Sequence, residues 1–94
     1  MNPWIVKTPY RLEKILNKLP KEVGVLLKDL IKDFEREGPF PEDWQIGHLS
    51  GEYEGFLKVK LKRNYRVIYR YVSQVITIFI EKIGHRKDVY RGLI

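Results

Sequence analysis

Residues 57–81 contain Leu57-Lys58-Val59-Lys60-Leu61, then Tyr65-Arg66-Val67-Ile68-Tyr69-Arg70, then Ile76-Thr77-Ile78-Phe79-Ile80-Glu81. In each block an apolar set recurs at every second position, the period of a strand that buries one face. Short turns at Arg63-Asn64 and Ser73-Gln74 separate the blocks. Three strands joined this way make two consecutive hairpins, an antiparallel meander.

Upstream of residue 39 the period changes. Val23, Leu26, Leu27, Leu30, Ile31 and Phe34 recur at helical spacing, with Lys28, Asp29, Lys32, Asp33 and Arg36 on the other side. Gly38-Pro39 supplies a stop, since glycine accepts the cap conformation and proline cannot continue a helix. Gly24 weakens this helix, and close packing against a preceding helix would explain it. That preceding helix is expected after Thr8-Pro9, with Leu12, Ile15, Leu16 and Leu19 as its apolar stripe and Pro20 as its break. Trp4-Ile5-Val6-Lys7 reads as a first strand, and residues 39–55, rich in Gly and Pro, as a loop. The expected fold class is α+β, in the order β-α-α-β-β-β. A helical hairpin packs on one face of an antiparallel sheet, and its other face stays open.

The chain has 94 residues, enough for one domain, expected to span 1–94, and too few for two. There are no cysteines, which favours a cytoplasmic protein over a small secreted one. Two histidines without a thiolate give no zinc-site spacing, so neither a metal nor a cofactor is expected. No stretch approaches the ~20 apolar residues of a membrane span, and Met1-Asn2-Pro3-Trp4 lacks the apolar region of a signal peptide. The net charge is +6. Residues 1–50 hold eight Lys/Arg and eight Asp/Glu, whereas residues 51–94 hold ten Lys/Arg against four Asp/Glu. All of the excess lies in the second half, either as general solubility or as the electrostatic footprint of a nucleic acid.

Alternation decides where those charges point. If Leu57, Val59 and Leu61 face the helices, Lys58, Lys60 and Lys62 face the open side, joined by Arg66 and Arg70 from the next strand. Like charges opposed across strands destabilise a sheet unless an anion relieves them. A solvated sheet face protected by lysines explains single lysines, but explains converging arginines less well. After the last strand come Gly84-His85-Arg86-Lys87-Asp88-Val89-Tyr90-Arg91, which bring further cations, a proton carrier and an aromatic. Phosphate favours arginine, and an unstacked base favours an aromatic platform. Tyr90 also reads as a hydrophobic anchor folded back on the domain.

The run Leu49-Ser50-Gly51-Glu52-Tyr53-Glu54-Gly55, with Leu57 to Leu61, Tyr65 to Tyr69 and Ile83 to Tyr90, resembles the RelE/ParE toxin superfamily of toxin–antitoxin modules. The resemblance is specific over residues 49–91; over the first half only element order and helical pattern match. It implies a ribosome-dependent mRNA endonuclease that cuts in the A site, the 2′-hydroxyl attacking the adjacent phosphate to leave a 2′,3′-cyclic phosphate. It implies catalytic roles for Lys58, Lys60, Arg66, Arg86 and Tyr90, with His85 as the alternative proton carrier because the spacing from Arg86 to Tyr90 is short. Lys62, Arg63, Arg70, Lys87 and Arg91 are then expected to bind RNA. The implied partners are mRNA on the ribosome and a RelB-like antitoxin. A ParE-like DNA gyrase inhibitor, or a non-catalytic RNA- or protein-binding domain, is the alternative.

Overall fold

In the computed structural model, which describes residues 3–93, the strongest helical stripe forms α2, Lys21–Glu37. Val23, Leu27, Leu30 and Phe34 are its buried residues, spaced to form one apolar face. Met1, Asn2 and Ile94, the ends of the expected 1–94 domain, lie outside the described residues. Pro20 caps α2 at the N-terminus, and Gly38, at φ 92°, ends it while leaving room for the Trp4 indole beside it. The first helix is short. A 3-10 turn over Tyr10–Leu12 runs into α1, Glu13–Lys18, and Pro9 precedes both as an extended cap.

Five strands make one sheet: β1 Ile5–Lys7, β2 Ile46–His48, β3 Leu57–Leu61, β4 Tyr65–Val72 and β5 Thr77–His85, in the order β1-β5-β4-β3-β2. The expected meander is present as β3, β4 and β5. Two features go beyond the expectation. Part of the 39–55 loop is the edge strand β2, antiparallel to β3, and β1 lies parallel to β5, so the sheet is mixed. The third strand also starts at Thr77 rather than Ile76, which is left-handed (φ 49°) and closes a 3-10 turn over Ser73–Val75.

The core lies between this sheet and the helices. Leu12 and the α2 face meet Leu57, Val59, Leu61, Val67, Tyr69, Ile78, Ile80 and Ile83. Phe34 and Tyr69 pack with ring centroids 4.6 Å apart. The Tyr69 hydroxyl donates to the Pro39 carbonyl at 2.6 Å, so its burial leaves no unpaired polar atom and holds the start of the 39–45 loop. Burial pushes that phenol's pKa well up, so it stays a neutral donor.

Gly24 does not serve close helix packing, contrary to expectation: a Cβ built there meets no atom within 4 Å. Nothing in the structure explains a glycine there. Gly24→Ala should therefore stabilise the domain by about 0.5–1 kcal/mol, the usual helix-interior difference. Urea midpoints of the two proteins at equal m-value check this.

Candidate nucleic-acid interface

Strand register assigns each basic side chain to a face. Directly opposed residues share a face. Leu61, Tyr65 and His85 form one row, and Val59, Val67 and Ile83 another, both on the helix side. Between them lies the row Lys60–Arg66–Gly84, and beyond it the row Gly47–Lys58–Ile68–Lys82, both on the opposite face. Lys58, Lys60 and Arg66 are thus neighbours, with Cβ atoms of opposed pairs about 4.5–5.5 Å apart in sheets generally. They line a cleft of about 260 Å³ whose far wall is Gln45, Ile46 and Gly47 of the edge strand.

Among the described residues, Lys58, Lys60, Arg66 and Arg86 make no ion pair. Arg66 uses one terminal nitrogen, Nη1, to donate to the carbonyls of Tyr65 (2.9 Å) and Arg63 (3.2 Å). These bonds hold the guanidinium by the β3–β4 turn, and its other N–H groups have no protein acceptor among the described residues. The Arg86 amide donates to the Asn64 carbonyl, 2.6 Å away, and fastens the start of the tail to that same turn.

The remaining cations expected on this face have other surroundings. Lys62 was expected beside Lys58 and Lys60, but it leaves the strand at φ 55° in the turn, and its ammonium lies 3.5 Å from Glu22 of α2, on the helix side. The reason is that strand alternation stops at Leu61. Arg70 does lie on the open face, but its charge is taken by Glu81 at 2.7 Å and its guanidinium stacks 4.3 Å over Phe79. A register shift at Ile68/Tyr69 separates it from the Arg66 row. Arg63 and Lys87 are exposed, and Arg91 is exposed with Asp88 3.8 Å away.

The tail corrects the picture of a wholly open face. Lys82 Nζ donates to the Arg91 carbonyl at 2.7 Å, and Val89 lies 3.9 Å from the Cβ position of Gly84. Both Lys82 and Gly84 belong to the open face, so residues 86–92 fold back over it as successive turns. Val89 and Ile68 are buried outside the main core, on this covered side. Tyr90 follows Val89, its ring centroid 6.1 Å from that of Tyr53. His85 is on the other face. Its ring meets Tyr65 edge-on at 5.7 Å, and its Nδ1 accepts from the Lys87 amide. Tyr90 thus follows a residue packed against Gly84 of the open face, whereas the register turns the His85 side chain to the helix side. Gly47 and Tyr53 are the residues that sequence reasoning left without a role. The position of Gly47 opposite Lys58 shows only once β2 is known.

No protein-family model matches the sequence, and a search of curated proteins finds no match. Solved structures do match. The archaeal RelE–RelB complex from Pyrococcus horikoshii aligns over 93% of this chain and 99% of that one, at 27% identity and a TM-score of 0.75. This chain belongs to the RelE-type toxin superfamily. RelBE2 of Mycobacterium tuberculosis, a toxin–antitoxin complex, aligns over 89% of this chain and 99% of that one, at 24% identity and a TM-score of 0.69. A mutant of Escherichia coli toxin RelE in the free state aligns over 90% and 84%, at 24% identity and a TM-score of 0.67. The helical hairpin on one face of the sheet is thus the fold of the RelE-type superfamily, and the cation cleft lies on the sheet face turned away from the helices. No helix among the described residues of this RelE-type chain is long and apolar enough to cross a membrane.

Proposed function

We propose that this protein is the toxin of a type II toxin–antitoxin pair and acts as a ribosome-dependent mRNA endonuclease. The observation that carries the reading is the cleft in which Lys58, Lys60 and Arg66 converge without a carboxylate partner among the described residues. Such a group repels itself until a polyanion enters. The RelE-type fold adds support, because several of the solved structures it matches are RelE toxins or complexes of RelE with RelB.

In this reading mRNA in the ribosomal A site lays one phosphate in the cleft. The 2′-oxygen forms a bond to that phosphorus while the bond to the 5′-oxygen breaks. The products are a 2′,3′-cyclic phosphate and a 5′-hydroxyl. Lys60, Arg66 and Arg86 stabilise the charge that builds on the phosphorane, and Lys58 holds the phosphate. Tyr90 accepts the 2′-hydroxyl proton as its phenolate, with the cations of the cleft favouring that charged form, and water supplies the proton that the departing 5′-oxygen takes up. Proton transfer falls to Tyr90 rather than His85 because His85 lies on the helix-side face, beside Tyr65. Arg63, Lys87 and Arg91 serve as outer contacts to the RNA backbone. Arg70 and Lys62, already paired, contribute less. The natural antagonist is an acidic RelB-like antitoxin with an amphipathic helix, complementary to the net charge of +6. The reaction requires ribosomes and so belongs to the cytoplasm.

Induction of the chain in cells should arrest growth and leave mRNA cut within codons, and co-expression of its antitoxin should restore growth. Primer extension on mRNA from induced cells reads the cuts directly. Translation in a cell-free extract separates the alternatives. It stops with cleaved mRNA if the reading is right, and it continues if the chain poisons gyrase as ParE-type toxins do. Intact mRNA with normal protein synthesis overturns the proposal.

A further inference from the structure

Lys58 lies across the edge of the sheet, over the backbone of Gly47. A Cβ built on Gly47 would stand 2.9 Å from Lys58 Cε, 3.5 Å from Cγ and 3.8 Å from Cδ. The first separation is shorter than carbon atoms tolerate, and the next two are close packing. The lysine stem therefore runs along a channel that exists because residue 47 has no side chain. The backbone does not itself call for glycine there, since Gly47 is not among the residues with positive φ.

Glycine is a poor choice for β2 on other grounds. It weakens a strand, and a β-branched residue opposite Lys58 would strengthen the pairing. What the glycine provides is the wall of the cleft shared by Gln45, Ile46, Gly47, Lys58, Lys60 and Arg66. A lysine stem has more rotamer freedom to lose than most side chains, and a groove that already restrains it reduces what is lost when the ammonium meets a phosphate.

We propose that Gly47 is a positioning residue for Lys58: its bare backbone seats the lysine stem so that the ammonium enters the cleft beside Lys60 and Arg66. The inference rests on the reading of that cleft as the RNA-cleaving site. It predicts a graded response. In Gly47→Ala the new methyl meets chiefly Cε, near the flexible end of the side chain, and cleavage should fall by only about twofold to threefold. In Gly47→Val the extra methyls fill the channel, and single-turnover cleavage of mRNA on programmed ribosomes should fall by about tenfold, roughly the worth of one hydrogen bond to a charged group.

The deciding measurement is a double-mutant cycle. In a Lys58→Ala protein there is no stem to seat, so adding Gly47→Val should change cleavage no further. Equal slowing by Gly47→Val with and without Lys58 would mean that residue 47 acts on the fold alone, and the proposal would be lost. Wild-type cleavage by Gly47→Val would overturn it as well. Thermal melting of each variant identifies any that fails to fold, in which case the same cycle with Gly47→Ala decides. A wild-type protein that leaves mRNA intact would instead overturn the reading of the site, a result distinct from either of these.

Discussion

Arg66→Ala should slow single-turnover cleavage of A-site mRNA by about 10²-fold to 10³-fold, the range for loss of one preorganised donor to a developing anion. The expectation comes from geometry. Arg66 sits in the cross-strand row Lys60–Arg66–Gly84 and lines the cleft. Backbone carbonyls of Tyr65 and Arg63 fix its guanidinium through Nη1, so its remaining N–H groups are aimed before the substrate arrives. Preorganisation of this kind acts on the transition state more than on binding. Ribosome binding should accordingly change little, because Lys58 and Lys60 still attract the RNA backbone. Arg66→Lys should recover only part of the rate, since an ammonium cannot make the same anchored fork. Arg86→Ala should behave like Arg66→Ala, though less severely, because Arg86 is exposed and only its backbone is tied down. If Arg66→Ala raised KM with kcat unchanged, the residue would be a binding contact and the assignment would fail.

Tyr90→Phe should lower the cleavage rate by about 10²-fold to 10⁴-fold, the usual contribution of a positioned general base. The substitution removes one hydroxyl and keeps the ring that faces Tyr53. Loss of rate with retained RNA affinity therefore isolates proton transfer from stacking. His85→Gln is the internal control. His85 pairs with Tyr65 on the helix side, with its Nδ1 occupied by the Lys87 amide, and its loss should leave the rate within about twofold, far below the effect of losing a catalytic acid or base. The pH profile of the reaction should keep its shape in His85→Gln. Full activity in Tyr90→Phe with a damaged His85→Gln would reverse the assignment and require the tail to refold on the ribosome.

The elements that burn most apolar surface into the core were readable from residue spacing. The α2 stripe and the three-strand meander follow from periods that burial enforces: a shift by one residue would turn Leu57, Val59 and Leu61 to solvent. Lys58, Lys60 and Arg66 share a face for the same reason. The errors lie where the period carries no information. β2 is three residues long, Ile46–His48, with a glycine at its centre, and it is held by pairing with β3 rather than by its own propensity. Lys62 falls one residue past the end of β3, where turn geometry replaces alternation. His85 ends β5, and spacing alone does not say which face it takes. That needs the register Tyr65↔His85, which depends in turn on the irregularity at Ile68/Tyr69. The fold-back of the tail over Lys82 and Gly84 is a tertiary contact with no local signal beyond one apolar residue, Val89.

The sheet order β1-β5-β4-β3-β2 also sets a timetable for assembly. β5 fills the gap between the first strand and β4, yet it is the last strand to be synthesised. A nascent chain can close the β3–β4 hairpin early, because that loop is short. β1 must wait for a neighbour some seventy residues downstream, as the register Ile5↔Thr77 requires, and such distant closures form late and slowly. Gly84 comes to lie opposite Arg66 only once β5 has paired with β4. On the proposed reading, a ribosome making this protein meets scattered lysines for most of synthesis, and the complete sheet only after β5 has emerged. If that reading is right, translation itself withholds the finished weapon from the machine that builds it, and the proposed antitoxin has that interval in which to be waiting.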